Sequence, residues 1–385
     1  MKPNPARKPR IALLEFLLSQ DQLFTFVVRA DWPEKSINDA APIVFKTDMD
    51  REELRGIAKY LWHMIEQFGR NKIRLDQADL SAFYQLGERI FSPGLLACLS
   101  GYQALYLVPF GDLHSIPLHA LNAGGTPLID QFEIAYLPSA SVLPYLEVPA
   151  RGPDILPAFL AAGVDFSNEY SHFHVEARNV FSATTKAGKS LWHPSKSALL
   201  IKEQVSRSKL IEQSSGKDVI HISTHGHFVG EDPLQSGVSL YAKSPMEVTD
   251  YLNREKKEPS RADFFLSARD IIEFMPLDAE LLVVSGCLTG MSEAKVGDEL
   301  LGLSRGLLYA GAKSLIVSLF PVYKQVTAGV GLPGDSVPFS EFYQLWLGSD
   351  TRKSQAFQWY IQAIKANPSF KHPFYWFSLI YIGRI

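Results

Sequence analysis

In the second half of the chain, apolar runs of strand length alternate with stretches of helical periodicity. "DVIHIST" (218–224) precedes the helix-like "LSARDIIEF" (266–274). "ELLVVSG" (280–286) precedes "GDELLGLSRGLLYAG" (297–311), which leads to "SLIVSLF" (314–320). Short β-branched runs suit buried strands, and apolar residues at three- and four-residue spacing suit helices. Strands separated by helices can pair in parallel, because the helix carries the chain back across the sheet. Both faces of such a sheet must then be covered. The expectation is an α/β protein with a mainly parallel sheet flanked by helices. In sheets of this kind, functional groups gather at the carboxyl ends of the strands.

The first half reads differently. "IALLEFLLSQDQLFTFVVRA" (11–30) predicts two strands turning at Gln20-Asp21. Leu54, Ile57, Leu61, Ile65 and Phe68 predict a helix over 48–68, with Asp48 or Asp50 as its cap. "ALYLVPF" (104–110) predicts a buried strand, and "LAAGVDF" (160–166) opens a second set after the proline-rich "VPARGPDILPA". A boundary is expected there, dividing the chain into residues 1–150 and 151–385. Ser267 is the expected cap of the 266–274 helix. Segments 243–265 and 324–339 interrupt the alternation and are expected as solvated loops.

Composition narrows the function classes. A net charge of −3 over 385 residues gives no electrostatic reason to expect nucleic acid or an anionic membrane as partner. Two cysteines, Cys98 and Cys287, make no disulfide framework and suit a reducing compartment. The apolar run near the N-terminus contains Glu15 and lacks a small-residue cleavage site. The expectation is therefore a soluble cytoplasmic protein.

Two strand ends carry the chemistry. His221, Ser223 and His225 alternate along one strand and so share a face, with His225-Gly226 where the apolar run stops. Cys287 follows a second buried run, between Gly286 and Leu288-Thr289-Gly290. If the two strands are neighbours, both groups project at one sheet edge. A thiolate there can attack a carbonyl, with an imidazole to take the thiol proton and return it to the leaving amine. Backbone N–H groups at Gly226 and Cys287 can hold the oxyanion, each donor contributing about 3–4 kcal/mol. Glycine beside each residue lets a substrate main chain approach.

A metal site competes with this reading, since "THGH" opens like the T-H-x-H of metallo-β-lactamase-type hydrolases. Those continue with an Asp-His pair where this chain has Phe228-Val229. Glu231 and Asp232 remain as carboxylates, and the ligand set is incomplete.

The chain resembles the CHAT-domain proteases, members of the caspase and separase clan. The resemblance rests on "DVIHISTHGHF", "DPLQSGVSL", "LSARDI", "AELLVVSGCLTG", "GDELLGLSRGLLYAGAKSLIVSLFPV" and "HPFYWFSLIYIG", in order. Upstream, "LLEFLLSQDQLFTFVV", "LYLVPFGDLHSIPLHAL" and "YLPSASVL" extend it over nearly the whole chain. It implies a caspase-like architecture, with a pseudo-caspase subdomain (1–150) packed against an active caspase-like subdomain (151–385). It implies a His225–Cys287 dyad, oxyanion-hole amides at Gly226 and Cys287, and no cofactor or metal. The implied activity is cysteine endopeptidase action on a protein substrate, in a bacterial defence or cell-death pathway and under a regulatory partner. A catalytically silent or partner-activated scaffold is the alternative. Where relatives often read C-E-T-G, this chain has Leu288 in "CLTG".

Around this pair, Asp165 lies where clan relatives often place a specificity residue, and it also suits a turn after a strand. Ser285 is a further candidate for substrate contact. Asp298 and Glu299 read first as helix caps, because negative charge at a helix start opposes the dipole, and second as pocket acids. His227 either orients the catalytic loop or is exposed. Gly302 and Gly306 suggest close packing of their helix on the sheet, while His114, His119 and Cys98 read as structural.

Overall fold

The computed structural model describes residues 9–29, 41–69, 78–148, 155–164, 172–227, 232–242, 250–251, 262–288, 299–320, 337–349 and 351–385. The expected hairpin is present. Strand β1 (Ile11–Leu18) pairs antiparallel with β2 (Gln22–Arg29), and β2 pairs with β3 (Ile43–Asp48). Helix α1 (Arg51–Gly69) follows, its first turn capped by Asp50, which accepts from the Glu52 N–H at 2.7 Å. Asp48 instead closes β3. The expected apolar stripe of α1 is buried at Leu54, Leu61 and Ile65. After α2 (Ser81–Ile90) and α3 (Pro93–Cys98) the chain enters β4 (Ala104–Val108) and then β5 (Glu133–Tyr136). Both are completely buried and parallel to each other, and β4 is parallel to β1.

The second half supplies β6 (Phe159–Gly163), helix α4 (His172–Phe181), β7 (Ala198–Ile201) and β8 (Val219–His227). Two short strands, β9 (Gly237–Ser239) and β10 (Phe265–Ser267), precede α5 (Ala268–Phe274). Ser267 caps α5 as expected, in a reciprocal box with Asp270. Then come β11 (Leu281–Leu288), α6 (Glu299–Tyr309), β12 (Ser314–Ser318), α7 (Phe339–Leu347), α8 (Lys353–Ala366) and β13 (Leu379–Gly383). Gly311 turns the chain out of α6 at φ +118°, where a side chain would drive into the Leu277 carbonyl.

The strands form one mixed sheet in the order β10-β9-β8-β11-β12-β13-β5-β4-β1-β2-β3, with β6 and β7 joined through β8. The middle of each half is parallel, and the antiparallel pairings lie at β1–β2–β3, β8–β9–β10 and β12–β13. The C-terminal strand β13 links the halves, through the single pair Ile382↔Tyr136. Helices α4, α7 and α8 pack together as one group, and α5 and α6 as another. The segment 149–154, where the division of the chain was expected, lies outside the described residues. So do most of the two expected loops. Of 243–265 only 250–251 and 262–265 are described, and of 324–339 only 337–339.

Candidate active site

The site is built on β8 and β11, which run parallel in register from Val219↔Leu281 to Gly226↔Leu288. That register sets His225 opposite Cys287, with Ser223 opposite Ser285 two residues below. Both residues therefore reach the carboxyl edge on adjacent strands. Close approach of the strands requires glycine at position 286, where a Cβ would lie 2.5 Å from the Thr224 carbonyl.

On the other flank of β8, the strand pairings among the described residues leave out Thr224 and His225. Strand β6 ends with Gly163 opposite Ser223, and Val164 N–H donates to the Ser223 carbonyl at 3.1 Å. Strand β9 begins its pairing only at Gly226↔Val238. Between these ends sits His225, half-buried, with the ring of Phe173 against it at 4.6 Å between centroids and 79° between planes. Gly226 is buried between Val238 and Leu288. His227 is partly buried and its Nε2 bonds the Ser239 hydroxyl, which ties β8 to β9. Burial, followed by the neighbouring His225 charge, lowers its pKa to about 4, so His227 is neutral at pH 7.

The other expected residues are distributed unevenly. Ser285 is fully buried beneath the strand end. Glu299 opens α6, whereas Asp165 and Asp298 lie outside the described residues. Of the carboxylates weighed as metal ligands, Glu231 is likewise outside them. Asp232 caps the short 3-10 helix Pro233–Gln235 through Leu234 N–H and pairs with Arg269 at 3.4 Å. A cavity of about 1150 Å³ opens between that 3-10 helix, α6 and the 3-10 helix Ala140–Leu146, and neither His225 nor Ser285 lines it.

Gly302 and Gly306 do permit close packing, but against other segments than the sheet. A Cβ at 302 would lie 2.5 Å from the Pro233 carbonyl, and one at 306 would lie 3.3 Å from the Ala268 Cβ. Cys98 is half-buried, and burial pushes its thiol pKa up.

Sequence reasoning missed the partners of His221. This residue is fully buried, with Nε2 3.1 Å from Glu176 Oε1 and Nδ1 3.0 Å from the Tyr343 hydroxyl. Burial and the nearby Glu176 charge raise the Tyr343 pKa well above its ordinary value, so the hydroxyl keeps its proton. Each ring nitrogen of His221 thus has its own buried partner, the Glu176 carboxyl at Nε2 and the Tyr343 hydroxyl at Nδ1. The helical spacing of Phe173, Ala177 and Val180 was a usable signal for α4, since all three are buried. Nothing in that spacing shows which strand residue faces Glu176.

A mixed, mainly parallel sheet flanked by helices is consistent with a caspase-like fold. The family model of the CHAT domain matches residues 81–384, and the chain belongs to that family of caspase-like cysteine peptidases. No curated protein is a significant match. Among the described residues, no helix is long and apolar enough to cross a membrane.

Proposed function

We propose that this protein is a cysteine endopeptidase whose nucleophile is Cys287 and whose general base is His225. The observation that carries the reading is the register, which pairs these two residues at the carboxyl edge of neighbouring parallel strands. His225 takes the thiol proton as sulfur adds to the scissile carbonyl. The tetrahedral oxyanion is held by the N–H groups of Gly226 and Cys287, each contributing about 3–4 kcal/mol. Collapse breaks the C–N bond, the amine leaves with the proton from His225, and a thioester remains on Cys287. Water, deprotonated by His225, then attacks the thioester, and the thiol and the new carboxylate are released.

The substrate in this reading is another protein, and the family's settings point to bacterial defence or cell death in the cytoplasm, under a regulatory partner. Residues 1–150 act as the pseudo-caspase support and 151–385 as the peptidase. Each half having its own parallel ladder supports that division.

A fluorogenic peptide panel varied at the residue before the scissile bond tests the reading. Wild type, Cys287→Ala and His225→Ala are compared with and without chelator. Cleavage by wild type alone is expected, indifferent to chelator, with a loss of roughly a thousandfold or more in each variant. A preference for Arg or Lys would assign Asp165 as the specificity residue. Activity surviving in Cys287→Ala would overturn the proposal.

A further inference from the structure

We infer that helix α4 positions the His225 imidazole, with Phe173 as the residue in contact and Glu176–His221–Tyr343 as its buried anchor. The inference rests on the dyad reading and adds a positioning element to it. An imidazole at a strand end can rotate about two side-chain bonds, and proton transfer needs one orientation. The Phe173 ring, only 3% exposed, stands nearly perpendicular to His225 at 4.6 Å and restricts that rotation.

The helix that carries Phe173 is held at two further points on the same side. At Gly163, where β6 stops, a Cβ would lie 2.6 Å from the Phe173 carbonyl and 2.7 Å from His174 Cα. The backbone of α4 therefore rests directly on the strand end. One turn along, Glu176 is completely buried and bonded to His221, which is bonded in turn to Tyr343 of α7. His221 precedes His225 by four residues on β8 and so shares its face.

A buried polar network of this kind is seldom the most stable filling for a core, and an apolar trio of similar volume would serve as well. What it adds is one allowed geometry, because each partner must meet a specific atom. Here that geometry fixes α4 against the strand that carries His225. His221 is too deeply buried to meet a substrate, so its role passes through the helix.

Alkylation of Cys287 by iodoacetamide at pH 7, read by peptide mass spectrometry, tests this without a substrate. The proteins compared are wild type, Phe173→Leu, Phe173→Tyr, Val180→Ala and His225→Ala, each checked for folding by circular dichroism. Phe173→Leu keeps apolar volume but removes the ring, and is expected to slow Cys287 about tenfold. Phe173→Tyr restores a ring and is expected to return close to the wild-type rate. Val180→Ala trims buried volume two turns along the helix from Phe173, leaves the Phe173 ring and the Glu176 anchor in place, and is expected to leave the rate unchanged. Histidine ring signals in a ¹H–¹³C spectrum should move for His225 in Phe173→Leu and stay near wild type in Phe173→Tyr. A wild-type rate in Phe173→Leu, or an equal loss in Val180→Ala, would sink the positioning role alone, provided that His225→Ala is slow. If His225→Ala reacts as fast as wild type, the dyad itself fails and the positioning role fails with it.

Discussion

The two halves of the sheet hold the same residue types and treat them differently. In the first half, β4 and β5 run parallel as β8 and β11 do, and His119 lies in the connection between them. There the 3-10 helices Gly111–Ser115 and Leu118–Ala120 follow the strand, and the histidine is part of the second. His119 is 1% exposed, bonded to the Tyr136 hydroxyl at 2.9 Å and packed edge-on to Trp376. Burial pulls its pKa down to about 3, so its ring is uncharged near neutrality. The cysteine of that half, Cys98, ends a helix and not a strand. In the second half the β8–β6 pairing ends at Ser223, and His225 two residues on is half-buried and in register with Cys287. One histidine is sealed into the core, and the other keeps part of its surface at the end of its strand.

The sharpest way to break this comparison is to exchange the two histidines for other residues. His225→Ala should abolish peptide cleavage by a thousandfold or more, whereas His119→Gln should leave cleavage within a few-fold of wild type. Steady-state kinetics on one fluorogenic peptide decides it.

The anchor beneath the site should matter next. Glu176→Ala leaves His221 without its carboxylate and is expected to destabilise the fold by about 3–5 kcal/mol. Glu176→Gln, which keeps the shape, should lose about 1–3 kcal/mol. Urea midpoints for the two variants measure both.

Acid sharpens the contrast from the other side. His119 binds its proton more weakly when folded than its ordinary value of 6.5, so the unfolded chain gains protons first. Stability from this residue is complete above pH 6.5 and falls as pH drops toward about 3, by about 1.4 kcal/mol per pH unit. His227 acts in the same direction down to about 4. His119→Gln should therefore flatten the acid limb of a stability-against-pH curve, without changing the His227 share.

The smallest effects fall on α6. Gly302→Ala should destabilise by about 1–3 kcal/mol, because the Pro233 carbonyl leaves no room. Gly306→Ala brings its Cβ to 3.3 Å from the Ala268 Cβ, a tight contact that a small shift relieves, and gains helix propensity worth up to about 1 kcal/mol, so its net should lie near zero. Thermal melts of the pair compare them on one helix.

Much of this layout was legible because it is local. The hairpin at Gln20-Asp21, the Ser267 cap and the buried runs of β8, β11 and β12 follow from periodicity and turn chemistry within a few residues. His225 and Cys287 stood out because each follows such a run. What stayed hidden depends on distant partners. Glu176 and Tyr343 reach His221 across 45 and 122 residues, and no local pattern marks either as a partner. The strands β9 and β10 have three residues each, too few for alternation to register. Gly302 and Gly306 looked like a helix face for the sheet because spacing shows closeness and not what is close. Asp165 and Asp298 lie outside the described residues, so their places near the site remain part of the proposal.

The most direct test of the central claim uses the two cysteines of the chain as reporter and reference. Wild type and His225→Ala are treated with iodoacetamide at pH 7, and alkylation of Cys287 and Cys98 is followed in the same digest. Cys98 reacts slowly, since burial keeps its thiol protonated. The expected result is Cys287 reacting at least about tenfold faster than Cys98 in wild type, an advantage that disappears in His225→Ala. Equal rates in wild type, or an advantage that survives the loss of His225, would contradict a working dyad at this sheet edge.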